Sequence, residues 1–408
     1  MFRRTLALAL LLAPLGGCDS ADALVSDQLI VVDTHIDLPY RLVRNYENVT
    51  VRTQSGDFDY SRAREGGLSA AFMSIFVPVE KQNPGAAKDF ADHLIDLVES
   101  TVARNEDKFV IARSTYDVIQ AAGSERIALA MGIENGSAIE NDLSNVAYFY
   151  RRGIRYITLA HAKSNLISDS SYDSERPWGG LSEFGESVVT EMNRVGAIVD
   201  VSHLSDDAIL DVLEVSKTPV LATHSSARVF TPGFERNLSD ELIRRIAQKG
   251  GVIQVNFGSM FITEKANQWY STYVEHATAF RIEHGLGPYE PIPEFDDAFR
   301  ADNPLPYASL DDVLDHFDHI VDLAGVDHVG FGSDFDGVGD SLPAGLKSVA
   351  DFPALIAGLH DRGYSEADVH KIAGRNTLRV WGAAEQHART QRMLARARAT
   401  NRIYGSNQ

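Results

Sequence analysis

Seven ionisable side chains stand where apolar runs end: His35 with Asp37, Glu134, His161, His203, His224 and Asp334. The first pair closes the β-branched run Leu29-Ile-Val-Val32. In a strand, residues two apart share a face, so an imidazole nitrogen and a carboxylate oxygen would project side by side. That donor pair suits a divalent cation, zinc foremost. A single His-x-Asp pair is more commonly a loop hydrogen bond, and any one of the other residues alone reads as a hydrogen-bonded core group. Seven in the same position relative to their strands fit chance poorly. Imidazoles and carboxylates without a thiol describe a site for two divalent ions. His35, Asp37 and Glu134 would serve one ion, and Glu134, His203 and His224 the other. Glu134 would bridge them, and a water held in the same place becomes hydroxide near neutral pH.

These groups need eight strands to carry them, and the apolar runs supply them at 29–37, 68–77, 127–134, 154–161, 197–203, 220–225, 251–257 and 328–336. Their near-continuous apolarity predicts burial on both faces, as in a parallel sheet covered by helices. Helical stretches lie between them. Ser114 with Asp117, Ser309 with Asp312 and Ser365 with Asp368 read as capping boxes. Asp206 and Asp207 follow Ser205 in a first turn, and Gly325 and Gly374 stand at C-terminal cap positions. Strand–helix alternation repeated eight times predicts an α/β fold, a (β/α)8 TIM barrel, with a doubly wound sheet as the competitor. In such a barrel the C-terminal strand ends ring one mouth, where active sites sit. Residues 258–305, after the seventh strand, exceed an ordinary βα connection and hold Trp269, Tyr270, Tyr273 and Phe280, which predicts a packed helical insertion near that mouth. His316 and His319, among Asp312, Asp315 and Asp318, read as a solvated helix face, and His328 as opening its strand at the opposite end.

The first residues have another purpose. Arg3 and Arg4 precede the apolar run from Leu6 to Leu12, a secretory signal pattern over 1–17. Leu15-Gly-Gly-Cys18 then resembles a bacterial lipobox, and Cys18 is the one cysteine of the chain. Lipidation of Cys18 is the expectation, with plain secretion and cleavage near Ala21-Asp-Ala23 as the alternative. Either way the protein is exported, to the bacterial envelope facing the periplasm or exterior, and no intrachain disulfide can form. The expected organisation is a tether at 18–27, the barrel domain at 28–385 and an Arg-rich helical tail at 386–408. The chain carries a net charge of −19. Loss of residues 1–17 leaves 36 basic against 57 acidic residues, a surface that repels phosphate backbones and excludes nucleic acid as a partner.

Longer motifs carry a family resemblance: Asp33-Thr-His-Ile-Asp-Leu-Pro39, Gly66-Gly-Leu-Ser-Ala-Ala71, Gly132-Ile-Glu-Asn-Gly136, Arg155-Tyr-Ile-Thr-Leu-Ala-His161, Gly180-Leu-Ser-Glu-Phe-Gly185, Asp200-Val-Ser-His203, Thr223-His-Ser-Ser-Ala227, Arg236-Asn237 and Gly330-Phe-Gly-Ser-Asp-Phe-Asp-Gly337. In this order, from about residue 29 to 380, the chain resembles the membrane (renal) dipeptidase family of zinc peptidases. The resemblance implies a metallo-dipeptidase with two zinc ions per chain, His35 and Asp37 on the first, His203 and His224 on the second, and Glu134 bridging. It implies that His161 contacts the substrate and the developing oxyanion. Arg236 would hold the substrate's C-terminal carboxylate, with Arg228 as the alternative. Asp334 would be the acid/base carboxylate, with Asp336 as runner-up on the same face. A homodimer, and tolerance of a C-terminal D-residue in the dipeptide substrate, are also implied. Two motifs depart from the family pattern: Thr34 and Ile36 flank the first ligands, and Asn135-Gly136 follows Glu134. Competing readings keep the metals but change the substrate to another amide, a lactone or a secondary metabolite, or make the chain a non-catalytic binding lipoprotein.

Overall fold

The computed structural model describes residues 28–405 apart from 84, 288 and 289. The export segment, Cys18 and the tether at 18–27 lie outside the described residues. Among the described residues nine parallel strands form: β1 (Val31–Ile36), β2 (Leu68–Phe76), β3 (Phe109–Ile111), β4 (Ile127–Glu134), β5 (Ile154–Thr158), β6 (Ile198–Asp200), β7 (Leu221–Ala222), β8 (Val252–Val255) and β9 (Val329–Phe331). Eight of them close on themselves. β2 pairs with β4 from Ala70 opposite Ala128 to Phe76 opposite Glu134, and β1 meets β9 at Asp33 opposite Phe331. That closure leaves no open sheet, so the fold is the (β/α)8 barrel and not the doubly wound competitor. The ninth strand, β3, was not expected. It pairs with Ile127–Leu129 along the part of β4 that precedes its pairing with β5. Three residues are too few to stand out as an apolar run.

Period-two alternation sorts the strand residues into two cores. Val32, Phe72, Ala128, Ala130, Tyr156, Ile198, Leu221 and Val252 face the barrel interior with Trp381 and Ala384 of the C-terminal helix. Val31, Met73, Leu129, Met131, Ile157 and Val199 face the surrounding helices. Inside, aromatic rings stack toward the mouth. Trp381 lies 5.2 Å from Phe72, Phe72 5.4 Å from Tyr156, and Tyr156 6.4 Å from His35, centre to centre. Gly132, inward-facing on β4, makes room for this column, since a Cβ there would come within 2.1 Å of the Tyr156 ring.

Two of the three expected capping boxes form, Ser309 with Asp312 and Ser365 with Asp368. At Ser114 the hydroxyl accepts from Asp117 N–H, but the Asp117 carboxylate takes Arg113 N–H instead. Gly374 is not a cap. It lies within a π-helical turn, Lys371–Arg375, where a Cβ would sit 2.4 Å from the Ile30 carbonyl oxygen, so close helix–strand approach selects it. One helix, Asn376–Gly405, then runs across residue 385 into the Arg-rich tail. No helix among the described residues is long and apolar enough to cross a membrane.

The expected insertion after the seventh barrel strand, β8, comprises helices Ser259–Ile262, Glu264–Glu283 and Pro293–Asp302. Trp269, Tyr273, Phe280, Phe295 and Phe299 pack among themselves there. His316 corrects the expectation of a solvated face, being fully buried. Its Nδ1 accepts Ala227 N–H at 3.0 Å and its Nε2–H donates to the Ile262 carbonyl at 2.9 Å, joining the insertion to the loop after β7. Burial pushes its pKa down to about 4. The unfolded chain protonates this histidine at about pH 6.5, so the contribution is fully present above that pH and is lost as pH falls toward 4. Between about pH 7.5 and pH 5 the wild type should lose ~2 kcal/mol more unfolding free energy than His316→Gln. Denaturant melts of both proteins at the two pH values measure it, and equal losses would refute it.

Candidate metal centre

The structure brings all seven strand-end groups to one mouth. Their ligand atoms fall into three overlapping sets, each within 4.8 Å: His35, Glu134 and His224; Glu134, His161 and His203; His35, Asp37 and Asp334. The backbone leaves extended geometry to achieve this. His203, Asp334, Asp336 and Asn135 have φ of 69°, 62°, 65° and 81°, a left-handed conformation that costs L-residues energy and gathers at functional sites. Asp37 has already left β1 and stands before the helix Leu38–Arg44, yet its Oδ2 is 3.5 Å from His35 Nε2.

Glu134 divides its two oxygens. Oε2 faces His35 Nε2 at 3.4 Å, while Oε1 faces His203 at 3.0 Å, His224 at 3.3 Å and His161 at 3.6 Å. Ser74 Oγ donates to Oε2 at 3.1 Å and fixes the split. His35 Nε2 is buried without a hydrogen bond, and the Nε2 atoms of His203 and His224 point at each other 2.8 Å apart. Convergent imidazole nitrogens around an ionised carboxylate are a donor set that fits divalent cations.

The supporting groups set the tautomers. Thr223 Oγ1 donates to Asp200 Oδ2 at 2.7 Å, so its oxygen accepts from His224 Nδ1–H at 2.8 Å. The His224 Nε2 lone pair therefore faces the site. Tyr156 Oη stands 2.9 Å from His35 Nδ1 and holds that ring in place. Burial, with Arg236 nearby, keeps His203 and His224 well below the usual imidazole range, so both are neutral. Burial would raise Glu134, but the surrounding histidines, His35 first, hold it well below the carboxylate range. Burial also opposes a proton on His35, yet Tyr156, Glu134 and Asp37 raise its affinity well above normal. That pocket draws positive charge.

Asp334 stands apart in protonation. Burial pushes it up to about 7, with Asp37 and Glu134 adding to the rise and His35 and Asn256 opposing it. Asn256 donates to its Oδ2 at 2.7 Å. Asp336 also borders the cleft, but its carboxylate is tied elsewhere. Its Oδ2 lies 3.1 Å from Arg41 Nε, and its Oδ1 accepts Asp57 N–H. Arg236 is buried beside the histidines, donating to Ser225 Oγ at 2.8 Å and the His224 carbonyl at 2.8 Å and reaching His203 Nε2 at 3.1 Å. Arg228 instead pairs with Asp206 and the Asn237 carbonyl, away from the site. A cleft of about 460 Å³ opens above these groups, walled by Tyr40, Phe76, Tyr172, Met260, Phe261 and Tyr270.

Sequence reasoning missed Tyr156, Asp200 and Asn256. Asn256 ends the seventh barrel strand much as the ionisable groups end theirs, and a search for any polar strand end would have found it.

Residues 19–394 match the family described as Membrane dipeptidase (Peptidase family M19). The chain is 33% identical over 351 residues to Dipeptidase tcpJ of Claviceps purpurea, spanning 83% of this chain and 72% of that one. It is 32% identical to Dipeptidase verJ of Clonostachys rogersoniana, over 87% of this chain and 84% of that one. Among solved structures, the probable dipeptidase PvdM from Pseudomonas aeruginosa superposes with a TM-score of 0.76 at 28% identity, covering 90% of this chain and 98% of its own. A metallo peptidase from Rhodobacter sphaeroides, liganded with a phosphinate mimic of L-Ala-D-Ala, gives 0.71 at 25% identity, over 88% and 100%. With the Glu134-centred donor set in the barrel mouth, these matches place the chain in the membrane dipeptidase family, Peptidase family M19, as a metallo-dipeptidase.

Proposed function

We propose that the chain is a binuclear zinc dipeptidase of the bacterial cell envelope, lipid-anchored at Cys18. The observation that carries the two-metal reading is the division of Glu134, one oxygen toward His35 and the other toward His203 and His224. When bound, the ions polarise the scissile carbonyl and lower the pKa of the attacking water. The residues do the rest. Asp334 accepts the water's proton and passes it to the leaving amine. His161, a cleft-wall residue with its Nε2 3.6 Å from Glu134 Oε1, donates to the carbonyl oxygen as negative charge develops there. Arg236 takes the substrate's free carboxylate, which limits the peptide to two residues.

Dipeptides with a C-terminal D-residue fall within this reading, supported by the L-Ala-D-Ala mimic held by the Rhodobacter sphaeroides relative. Metal analysis of dialysed protein with a panel of L,L and L,D dipeptides tests it. Two zinc ions per chain and turnover are expected, and no turnover of any dipeptide would refute it. Mass spectrometry of membrane-extracted protein should find an acylated Cys18 as the N-terminus. A mature N-terminus elsewhere removes the anchor. The family resemblance supports a homodimer, which sedimentation measures.

Arg236→Met should raise KM roughly 10- to 100-fold, since a charge-assisted pair to a buried carboxylate is lost. Wild type should lose comparable affinity when the substrate carboxylate is replaced by an amide, whereas the variant should barely distinguish acid from amide. Unchanged discrimination in the variant would remove Arg236 from the anchor role.

A further inference from the structure

A second chamber of about 640 Å³ adjoins the metal cleft, sharing Tyr40, Arg44 and Asp336 in its wall. It is the larger of the two, and the mechanism above uses none of it. Its charges are mostly matched. Arg41 is tied to Asp336, Glu47 and the carbonyls of Ser55 and Phe58. Asp340 accepts from Tyr307 Oη at 2.8 Å, with Arg300 at 3.7 Å, and Asp57 accepts Asp336 N–H at 2.8 Å. Two cations, Arg44 and Lys347, form no ion pair within 4.0 Å among the described residues. Lys347 Nζ meets the Leu342 carbonyl and the Tyr307 ring, with Asp57 of the same wall within electrostatic reach, and Arg44 meets the face of Tyr40, 5.9 Å away.

Arg236 lies beside His203, whereas Arg44 stands over the Tyr40 ring in the cleft wall. From His161 the path runs through Phe76 at 4.8 Å and Tyr40 at a further 5.0 Å to the Arg44 guanidinium. A dipeptide with its carboxylate on Arg236, beside His203, and its scissile carbonyl by Glu134 has the Tyr40–Arg44 wall of the cleft left for its amino-terminal residue. We infer that this second chamber is the subsite for the amino-terminal side chain and that Arg44, with Lys347 behind it, selects an acidic one. The inference rests on the dipeptidase reading above and names its substrate class: dipeptides beginning with Glu or Asp.

The experiment compares kcat/KM for Glu-Ala, Gln-Ala and Ala-Ala on the zinc-loaded full chain. Glu and Gln match in size and differ in charge. Glu-Ala should exceed Gln-Ala by roughly five- to tenfold at low salt, a modest ratio because Arg44 is exposed. The preference should shrink in about 0.5 M salt. Arg44→Met should bring the ratio near one, and Arg44→Lys should keep part of it. Turnover of Ala-Ala with no Glu preference, or a preference that survives Arg44→Met, overturns the subsite and leaves the dipeptidase reading standing. No turnover of any of the three overturns both.

Discussion

Glu134→Gln is expected to lose most of its bound metal and to lower kcat/KM by on the order of 10³-fold or more, since the ionised carboxylate stands at the centre of the imidazoles that would hold metal. The side chain keeps its size, so the barrel should fold. Ser74 can still donate to the amide oxygen, and the neighbouring strand pairing, Phe76 opposite Glu134, is backbone only. The electrostatics change. Four imidazole nitrogens lie within 3.0 to 3.6 Å of the Glu134 oxygens, and the anion is the charge at their centre. A neutral amide presents one oxygen as acceptor and turns an N–H₂ donor either on His35 or on the His203–His224 pair. One cluster therefore loses its ligand whichever way the amide turns. Metal per chain in dialysed protein, with circular dichroism to establish folding, measures the first effect, and turnover of a dipeptide the second. Full metal content with activity within tenfold of wild type would show that Glu134 is not the shared ligand.

How far the sequence discloses this site depends on what kind of residue is asked about. His35, Glu134, His203 and His224 were legible because a parallel barrel buries both faces of its strands. An ionisable group can then appear only where the run meets the mouth. Glu134 shows the logic best, since it ends β4 directly above Ala128, Ala130 and Gly132 on the inward face. Legibility stops where the chain leaves the strand. Asp334 and Asp336 are two apart, both border the cleft and look equivalent, but with left-handed backbone at both, one carboxylate meets Asn256 and the other is tied to Arg41. No hydropathy period encodes that turn. His316 failed for a different reason. Acids at 312, 315 and 318 suggested water, yet residue 316 shares its helical face with the buried Val313, Phe317 and Ile320. Tyr156 and Asp200 were hidden because their work is done on another strand's histidine. Pairing across the barrel follows from register, which a single chain does not display.

Asp334→Asn should lower kcat by on the order of 10²–10⁴-fold with KM and metal content close to wild type. Asparagine is the informative replacement because the position imposes two demands. Its φ of 62° is left-handed, a conformation that Asn adopts about as readily as Asp and that Ala resists. Its Oδ2 accepts from Asn256 at 2.7 Å, and an Asn carbonyl oxygen can accept the same bond. What Asn cannot do is take a proton from water and return it to an amine. Room for this carboxylate beside that of Asp37 is made by Gly337, where a Cβ would fall 2.3 Å from Asp334 Oδ1 and 2.2 Å from Asp37 Oδ2. Both acids therefore look into the same space, and Asp334 also belongs to a potential ligand set with His35 and Asp37. The two roles separate by measurement. An acid/base group lost alone leaves the metal in place and the substrate bound, so kcat falls by itself. A ligand lost takes metal with it. Asp336→Asn provides the contrast, because that residue is bound to Arg41 and the Asp57 N–H and should alter stability more than kcat. If Asp334→Asn loses metal in step with activity, Asp334 is a ligand and the proton must be carried by another group.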